Sequence, residues 1–483
     1  MTTYLFPNHS EFIDRQAELE RLERWWEDEA DRFPLLVYGR RRAGKSWLLR
    51  EFAHGKEADI FVCDTRSERD QLAQFAAVLE GPVGVRPDLS DLGSLFGLLA
   101  RRAAKSKRLA VIDEFPLLMA SAPADSVLAS AFDGELSNSR LKLVVCGSQM
   151  ATMATLLAER APLHGRGTPL LVRPLRFDQA LAFLGSHGPA EMISRYAIAG
   201  GMPLYLRRLS RPASLRRVIC EDILGSLSPL FNEVREVLSM ELTSTATHFS
   251  LLAALAGAPS LNWDDLVQRS RVDDHTASRY VRILEDLQLV GAANPLFAPR
   301  QARRRRYRVL DPFVRFWFRF VFPYQAELAA GLKPEDHYEH NVGPLLADHV
   351  APVFEDVCRS WARANVPGAT VGPWWGLARH DLRRAKIRSS EEIDVVAARG
   401  ERVLLVGECR WRGAPMGRDV LDDLYAFKLP ALAQTGTDVS AAWVALFSKV
   451  GFRAGLVTEA HARGNVTLVD VERLVAELQP PPR

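Results

Sequence analysis

The stretch PLLVYGRRRAGKS, residues 34–46, decides the fold of this chain. Its first five residues form the apolar run of a buried strand, and residues 39–46 match the spacing GxxxxGK[ST] of a phosphate-binding loop. Gly39 and Gly44 let such a loop wrap, so that backbone N–H groups and the N-terminus of the next helix face a phosphate. The segment SWLLREF predicts that helix. The sequence therefore predicts a nucleotide site between a strand and a helix.

This motif and one later acidic pair have the residue types that bind ATP with Mg²⁺. Lys45 is a point charge for the β- and γ-phosphates, and the Ser46 hydroxyl is a ligand for Mg²⁺. The apolar run LAVI is followed by Asp113 and Glu114. At the end of a neighbouring strand, Asp113 would hold Mg²⁺ and Glu114 would orient or deprotonate the attacking water. We therefore expect ATP and Mg²⁺ as cofactors, with Trp47 among the nucleotide-binding residues.

Apolar runs separated by helical stretches continue beyond the loop. Such alternation predicts an α/β fold in which helices cover both faces of a parallel sheet. From about residue 176 to 240 the pattern is helical, which predicts a helical domain behind the sheet. The runs that predict strands are residues 34–39, 59–63, 109–113, 141–147 and 169–175.

Residues 248–290 contain three segments with the lengths of a helix-turn-helix, and a basic stretch follows them. This order predicts a winged helix whose arginines contact DNA phosphates. Because Glu285 and Asp286 balance the charge of the predicted recognition helix, a solvated basic hairpin is the alternative. The arginines expected at the nucleic acid are Arg279, Arg303, Arg304, Arg305 and Arg306.

Two predicted strands flank a turn at residues 399–401. Asp394 and Glu408 are equally far from the centre of this turn, so their carboxylates are expected opposite one another on adjacent strands. Arg410 shares the face of Glu408. These groups can hold a divalent metal, Mg²⁺ or Mn²⁺, and polarise a phosphodiester, and Glu355 on a preceding helix could complete the site. A surface ion-pair network is the alternative. The two strands are residues 392–398 and 402–411.

Composition excludes several classes of protein. Of the 483 residues, 47% are hydrophobic and 25% charged, which excludes a mainly disordered chain, a collagen and a bare coiled coil. Lys and Arg number 62 against 59 Asp and Glu, so any nucleic-acid surface must be local. The five cysteines form no CxxC pair, and no segment approaches the roughly 18 apolar residues of a membrane span. We therefore expect a cytoplasmic protein without a disulfide framework, a zinc site or a membrane span.

Four motifs, FIDRQAELERL, VYGRRRAGKSWLLREF, VIDEF and VVCGS, occur in this order along the chain. They resemble those of P-loop ATPases of the AAA+ and STAND group, in particular the family often called archaeal ATPases, which also occurs in bacteria. The resemblance extends over residues 1–320 and implies an ATPase with a helical lid over the nucleotide.

This resemblance also implies roles for residues outside the loop. Ser148 would sense the γ-phosphate and Arg166 would be an arginine finger. Gly201 and Pro203 of the segment GGMP would close over the adenine, and Arg15 would line the other side of the base. The alternatives are that Ser148 only caps a helix and that Arg166 is an ordinary loop residue. A finger acting in trans would require a homo-oligomer.

The segments EIDVV and GECRW resemble the PD-(D/E)xK nuclease fold and a domain of unknown function often found behind this ATPase. The resemblance extends over residues 344–475 and implies catalytic roles for Asp394, Glu408 and Arg410. Arg410 stands where the nuclease pattern has Lys, and an arginine stays charged and cannot act as a base. A metal nuclease, a nuclease-like domain that only binds nucleic acid and a structural module therefore remain as alternatives.

Together these features predict an ATP-driven switch in which hydrolysis rearranges the lid and the winged helix and so controls a C-terminal domain that binds or cuts DNA. The alternatives are a STAND-like signalling protein with a protein partner and a DNA-binding regulator whose nuclease-like domain is inactive. The predicted parts are a P-loop ATPase core (1–175), a helical lid (176–243), a winged helix-turn-helix (244–323), a linker (324–343) and an α/β restriction-endonuclease-like domain (344–477).

Overall fold

The computed structural model describes residues 13, 15–80, 84–242, 244–298, 304–382 and 385–479. The chain divides into two units. The first contains residues 1–175 and 202–204, and the second contains residues 176–201 and 205–483. Apart from residues 202–204, the segments predicted as lid, winged helix and nuclease-like domain therefore belong to one unit.

The first unit is built on the predicted parallel sheet. Its five strands are β1 (Leu35–Tyr38), β2 (Ala58–Val62), β3 (Arg108–Asp113), β4 (Leu141–Gly147) and β5 (Thr168–Leu171). Their order is β2-β3-β4-β1-β5, and every neighbouring pair is parallel. The central strand β4 is buried along its whole length, as expected when helices cover both faces. The carboxyl ends of the strands meet at one edge, where α/β proteins bind their ligands.

Helices connect these strands and bury their apolar sides against the sheet. Phe61 and Phe75 pack edge to face, with ring centroids 5.0 Å apart, and both are fully buried. The helices of the first unit are α1 (Gln16–Glu27), α2 (Lys45–Ala53), α3 (Glu68–Glu80), α4 (Leu92–Arg102), α5 (Phe115–Ser121), α6 (Ala124–Ala131) and α7 (Met150–Thr155), with a π-helical turn at Phe132–Leu136.

The helical pattern predicted after the sheet is present. It comprises α8 (Phe177–Leu184), α9 (Pro189–Ala199), α10 (Pro203–Leu209), α11 (Leu215–Ile219) and α12 (Glu233–Glu241), with a π-helical turn at Cys220–Leu224. Arg195 of α9 is fully buried and pairs with Glu191 at 2.7 Å, one helical turn away. Burial of this arginine is tolerated because its charge is paired.

Three further helices precede a two-stranded hairpin. They are α13 (Thr245–Ala256), α14 (Trp263–Ser270) and α15 (Asp274–Asp286), followed by β6 (Val290–Ala293) and β7 (Arg306–Val309). The two strands are antiparallel, with Val290 opposite Val309. An isolated bridge joins Leu261 to Tyr307, so the segment before α14 also pairs with the hairpin.

The aromatic segment after the hairpin forms α16 (Pro312–Phe320), which is buried in the second unit. Asp311 caps this helix by accepting hydrogen bonds from the N–H groups of Phe313 and Val314 at 2.8 and 3.2 Å. Trp317 is fully buried, and its indole N–H donates to the carbonyl of Phe231 at 2.7 Å. This hydrogen bond gives the indole N–H, the one polar group of the Trp317 side chain, a partner in the protein interior.

The structure contradicts the predicted linker at residues 324–343. This stretch is helical over Gln325–Ala329 (α17), Pro334–His337 (α18) and a π-helical turn at Tyr338–Val342. Leu328, His337 and Val342 are buried. Gly331 and Pro334, residue types that are typical of a linker, mark helix ends here, because Gly331 adopts φ +110° just after α17 and Pro334 begins α18.

The C-terminal sheet is mixed. Its strands are β8 (Thr370–Leu382), β9 (Ala385–Arg399), β10 (Arg402–Arg410), β11 (Trp443–Ser448) and β12 (Val466–Asp470), in the order β12-β11-β10-β9-β8. The pairs β8/β9 and β9/β10 are antiparallel, and β10/β11 and β11/β12 are parallel. The hairpin β9/β10 was predicted, whereas β8 was not. The helices around this sheet are α19 (Leu346–Asn365), α20 (Arg418–Asp423), α21 (Leu429–Ala433), α22 (Ala454–Arg463) and α23 (Val471–Leu478).

A β-bulge interrupts the hairpin β9/β10. Near the turn, Arg402 lies opposite Arg399 and Val403 opposite Ala398. The register then shifts between Val403 and Leu405, and Leu405 lies opposite Ala397. One residue of β10 is therefore left without a direct partner on β9.

Within the described ranges, no single helix combines the length and the apolar composition of a membrane span. All five cysteine side chains are buried free thiols.

The cap of α16 gives a stability prediction. Asp311→Ala should lower the free energy of unfolding of the second unit by about 1–2 kcal/mol, because two N–H groups of α16 lose their acceptor. Asp311→Asn keeps an acceptor oxygen and should lose less. Urea-induced unfolding followed by circular dichroism measures both, and equal midpoints for Asp311→Ala and the wild type would contradict the capping role.

Candidate functional site

The phosphate-binding loop has the backbone that its glycines were expected to permit. Gly44 adopts φ +89° immediately before α2, in the left-handed region that glycine enters without strain. A Cβ atom on Gly39 would lie 2.3 Å from the carbonyl oxygen of Val172, so no larger residue fits there. Lys45 Nζ donates to the carbonyl oxygens of Gly39 and Arg40 at 2.8 and 3.2 Å. The lysine therefore lies along the inner side of the loop.

The two predicted magnesium ligands touch each other. Ser46 Oγ donates to Asp113 Oδ2 at 2.6 Å, and Asp113 Oδ1 accepts from the backbone N–H of Glu114 at 3.0 Å. A hydroxyl and a carboxylate beside a lysine match the oxygen donors that Mg²⁺ takes in nucleotide sites. The residues present therefore fit ATP and Mg²⁺.

Glu114 is held by the residue expected to be a sensor. Its backbone is left-handed, with φ +54°, and Oε2 accepts from the N–H and Oγ of Ser148 at 3.2 and 2.8 Å. A non-glycine residue in this conformation is uncommon and is found at functional sites. Ser148 at the end of β4 therefore contacts the candidate catalytic carboxylate directly.

Arg15 is placed at the loop by contacts that its predicted role did not include. Its guanidinium is buried and donates to the carbonyl oxygens of Ala43 and Arg173 at 2.7 and 2.6 Å. It also pairs with Glu18 at 3.0 Å. Arg15 therefore ties the phosphate-binding loop to the segment after β5, and contact with a base stays a prediction.

The remaining residues predicted at the nucleotide are placed differently. A Cβ atom on Gly44 would lie 3.5 Å from Cγ of Pro203, so this proline is near the loop. Gly201 belongs to the second unit, and Trp47 lies in the first turn of α2. Arg166 makes a two-point contact with Asp133, at 2.8 and 3.1 Å. To act as an arginine finger, Arg166 would have to break its ion pair with Asp133.

The C-terminal carboxylates adopt the predicted register. Beyond the bulge, Val406 lies opposite Val396 and Gly407 opposite Val395, so Glu408 follows opposite Asp394. Asp394 Oδ2 accepts from the N–H of Cys409 at 2.8 Å. These contacts place the two acidic side chains on neighbouring strands.

Two cations surround Glu408. Arg410 Nη2 lies 3.3 Å from Glu408 Oε2, and its Nη1 lies 3.9 Å from Asp394 Oδ2. Lys428 Nζ donates to the same Glu408 Oε2 at 2.6 Å. Glu408 is fully buried, and within the described residues its Oε1 has no hydrogen-bond partner. In the part of the chain that the structure describes, one oxygen of the Glu408 carboxylate is therefore buried without a hydrogen bond.

Sequence reasoning missed Lys428, which ends a π-helical turn (Leu424–Lys428) between α20 and α21. It lies 20 residues after Glu408 in the chain, so no local spacing signals the contact. A π-helical turn is itself frequent at functional sites, but the sequence does not show it.

The predicted metal site of three carboxylates is not assembled. Glu355 Oε2 lies 3.5 Å from Arg359 Nη1, and no group of three His, Cys, Asp or Glu in the described ranges is arranged to hold a metal. Burial and the charge of Asp394 raise the pKa of Glu408 to about 7. Burial raises the pKa of Asp394, and burial with the charge of Asp394 raises that of Glu355. The surroundings therefore shift the pKa values of all three acidic groups upward.

The basic hairpin is partly committed to contacts inside the second unit. Arg306 Nη1 pairs with Glu392 Oε2 at 2.9 Å, and its guanidinium lies 4.5 Å from the ring centre of Trp375. Arg279, Arg304 and Arg305 are exposed. Arg303 lies outside the described residues. Because Arg306 is engaged by a carboxylate and an aromatic face, it differs from the exposed arginines predicted at DNA.

Comparison with protein families gives two matches. Residues 12–209 match a family described as an ATPase domain predominantly from Archaea, and residues 317–419 match one described as archaeal and bacterial proteins of unknown function. The expected resemblance to archaeal ATPases is thereby confirmed. The region of the second match contains Asp394, Glu408 and Arg410. The description of that family gives no function.

Individual relatives agree with this assignment. An uncharacterized protein of Methanocaldococcus jannaschii is 24% identical over 409 residues, which are 83% of this chain and 88% of that protein. An uncharacterized ATP-binding protein of the same organism is 42% identical over 53 residues, which are 10% of this chain and 88% of that protein.

Among solved structures, a Walker-type ATPase of Pyrococcus abyssi has a TM-score of 0.50 and 19% identity, covering 65% of this chain and 99% of that one. This likeness supports a P-loop ATPase fold.

The buried carboxylates predict a pH-dependent stability. Because their pKa values are raised, these carboxyl groups bind more protons in the folded unit than in the unfolded chain, so their contribution to its stability should fall as pH rises from about 5 to about 8. Glu355→Gln should make this loss shallower, whereas Glu401→Gln, at the exposed turn, should not. Thermal unfolding at a series of pH values measures the slope, and an equal slope in Glu355→Gln and the wild type would show that Glu355 does not contribute.

Proposed function

We propose that this chain, whose residues 12–209 form an ATPase domain of the family found predominantly in Archaea, is an ATP-hydrolysing switch that controls a nucleic-acid-cleaving C-terminal domain. The contact between Ser46 and Asp113 beside Lys45 supports the first part. The contact between Lys428 and Glu408, opposite Asp394, carries the second. The helices α13–α15 and the hairpin β6/β7 are interpreted as the winged helix that joins the two activities.

In the ATPase site, each residue has a separate task. Lys45 binds the β- and γ-phosphates, while Ser46 and Asp113 would hold Mg²⁺, which neutralises the charge of the phosphates when bound. Glu114 orients the attacking water and accepts its proton. Ser148 holds the Glu114 carboxylate at the end of β4, and contact between Ser148 and the γ-phosphate would release that carboxylate toward the water.

The ATPase proposal predicts that binding and hydrolysis separate in two variants. Lys45→Ala should lose ATP binding because the phosphates lose their charge partner. Glu114→Gln should still bind ATP but hydrolyse it at least about 10²-fold more slowly, because an amide cannot accept the proton. Phosphate release and binding of a fluorescent ATP analogue measure the two steps. Glu135→Gln, an exposed change in the same unit, is the matched control. Wild-type hydrolysis by Glu114→Gln would contradict the assignment.

In the C-terminal site, Lys428 supplies what Arg410 cannot. An ammonium is a compact point charge, whereas a guanidinium is planar and its charge is spread. Lys428 and Arg410 stabilise the negative charge on a bound phosphodiester while the water oxygen bonds to phosphorus and the ester oxygen leaves with a proton. The carboxylates of Asp394, Glu408 and Glu355 do not converge on a metal in the described residues, so this proposal assigns no step to a metal at this site.

A second candidate function is favoured by a specific observation. Arg359 and Arg410 lie against the carboxylates, and the three acidic groups do not converge in the described residues. This arrangement suits a nuclease-like domain that binds nucleic acid without cutting it. The exposed Arg304 and Arg305 would then contact phosphates as part of an ATP-dependent regulator.

Cleavage of plasmid and linear DNA with Mg²⁺ or Mn²⁺, with and without ATP, separates these functions. Lys428→Gln and Glu408→Ala should lower cleavage at least about 10²-fold, because the phosphate loses the charge of Lys428 or Lys428 loses the carboxylate that holds it in place. Lys333→Gln changes an exposed lysine of the same unit and should cleave normally.

If the wild type cuts no DNA, the nuclease proposal is wrong. DNA binding that weakens with salt and is lost in the double variant Arg304→Gln/Arg305→Gln would then support the regulator. Absence of binding as well would favour a nucleotide-gated switch that binds a protein.

A further inference from the structure

A chain of charged side chains joins the hairpin to the C-terminal carboxylates within the second unit. Arg308 on β7 makes a two-point contact with Asp356 on α19, with Nη1–Oδ2 at 2.7 Å and Nη2–Oδ1 at 3.0 Å. Asp356 Oδ1 also accepts from Arg359 Nη2 at 2.8 Å. Arg359 Nη1 in turn donates to the backbone carbonyl of Asp394 at 2.8 Å and lies 3.5 Å from Glu355.

We propose that Arg308 is a positioning residue for the C-terminal site, because it orients Arg359 through Asp356. The catalytic consequence rests on the proposed nuclease function, whereas the contacts do not. The Asp356 carboxylate accepts hydrogen bonds from the guanidinium groups of both Arg308 and Arg359. Without the Arg308 side chain, Arg359 is the remaining arginine in the described part of the chain that contacts Asp356. The Arg359 guanidinium can then turn toward Asp356 and away from the backbone carbonyl of Asp394.

Other contacts of the hairpin explain how Arg308 is kept in place. The N–H of Leu296 donates to the carbonyl of Pro373 at 3.0 Å, and Trp375 Nε1 donates to the carbonyl of Arg304 at 3.2 Å. These bonds fix both sides of the hairpin loop to β8. Because the same hairpin carries Arg308, these bonds help to keep Arg308 in place beside Asp356.

The geometry distinguishes Arg308 from a phosphate-binding residue. Its terminal nitrogens both donate to one carboxylate, and the pair is half-buried, with 30% and 40% of the two side chains exposed. A two-point contact of this kind holds an arginine in one orientation. Arg308 therefore acts on the site through Asp356 and not through a nucleic acid.

Steady-state DNA cleavage by the full chain tests the role. Arg308→Gln and Asp356→Asn should each lower kcat by about 10–100-fold, with KM for DNA changed by no more than about twofold. The double variant Arg308→Gln/Asp356→Asn should be no slower than either single variant, because each of these changes interrupts the same series of contacts from Arg308 to the Asp394 carbonyl. Arg308→Lys restores the charge without the two-point contact and should give an intermediate kcat. The matched control Arg216→Gln removes a different arginine–carboxylate pair, with Glu339, and should cleave normally.

Two results would overturn the proposal: a wild-type kcat in Arg308→Gln, or effects that multiply in the double variant. Hydrogen exchange gives a readout that does not need cleavage. Arg308→Gln should accelerate exchange in β9 around Asp394 while leaving β12 unchanged. If the wild type cuts no DNA, the nuclease proposal fails but this measurement still decides the positioning role, and unchanged exchange in β9 would refute it.

Discussion

The hydrogen bond between Ser46 and Asp113 joins two motifs that are 67 residues apart in the chain. It exists because β1 and β3 are parallel and end at the same edge of the sheet, although β4 lies between them. That edge also receives Glu114 and Ser148, each at the end of its own strand. The nucleotide site is therefore a property of the sheet order, and the loop sequence supplies only half of it.

The C-terminal sheet is subject to a different physical constraint, because it buries several acidic groups together. Isolated buried charges are costly, and a carboxylate is retained in a protein interior when cations or hydrogen-bond donors surround it. Arg359, Arg410 and Lys428 do this for the C-terminal carboxylates. They come from a helix, a strand and a π-helical turn, so the local electrostatics depend on three separate parts of the fold.

The sequence predicted those features that depend on contiguous residues. The five strands of the first unit are short apolar runs, and the loop glycines have a fixed spacing. The distances of Asp394 and Glu408 to one turn predicted that they lie opposite one another, and the structure reaches this register through the bulge in β10. Lys428 and the contacts of Arg15 could not be predicted in this way, because they depend on tertiary packing between distant segments. The linker at residues 324–343 was wrong for a related reason, since glycine and proline mark helix ends as well as unstructured chain.

The bulge in β10 determines which residues of β9 and β10 lie on the same face of the sheet. Directly opposed residues of an antiparallel pair share a face, and the register near the turn, continued without the shift, would place Glu408 opposite Ile393. Glu408 and Asp394 would then lie on opposite sides of the sheet. An insertion or deletion of a single residue between Val403 and Leu405 would thus separate the two carboxylates while leaving every side chain of the site in the sequence. The geometry of this site therefore depends on the length of that segment as well as on the identity of its residues.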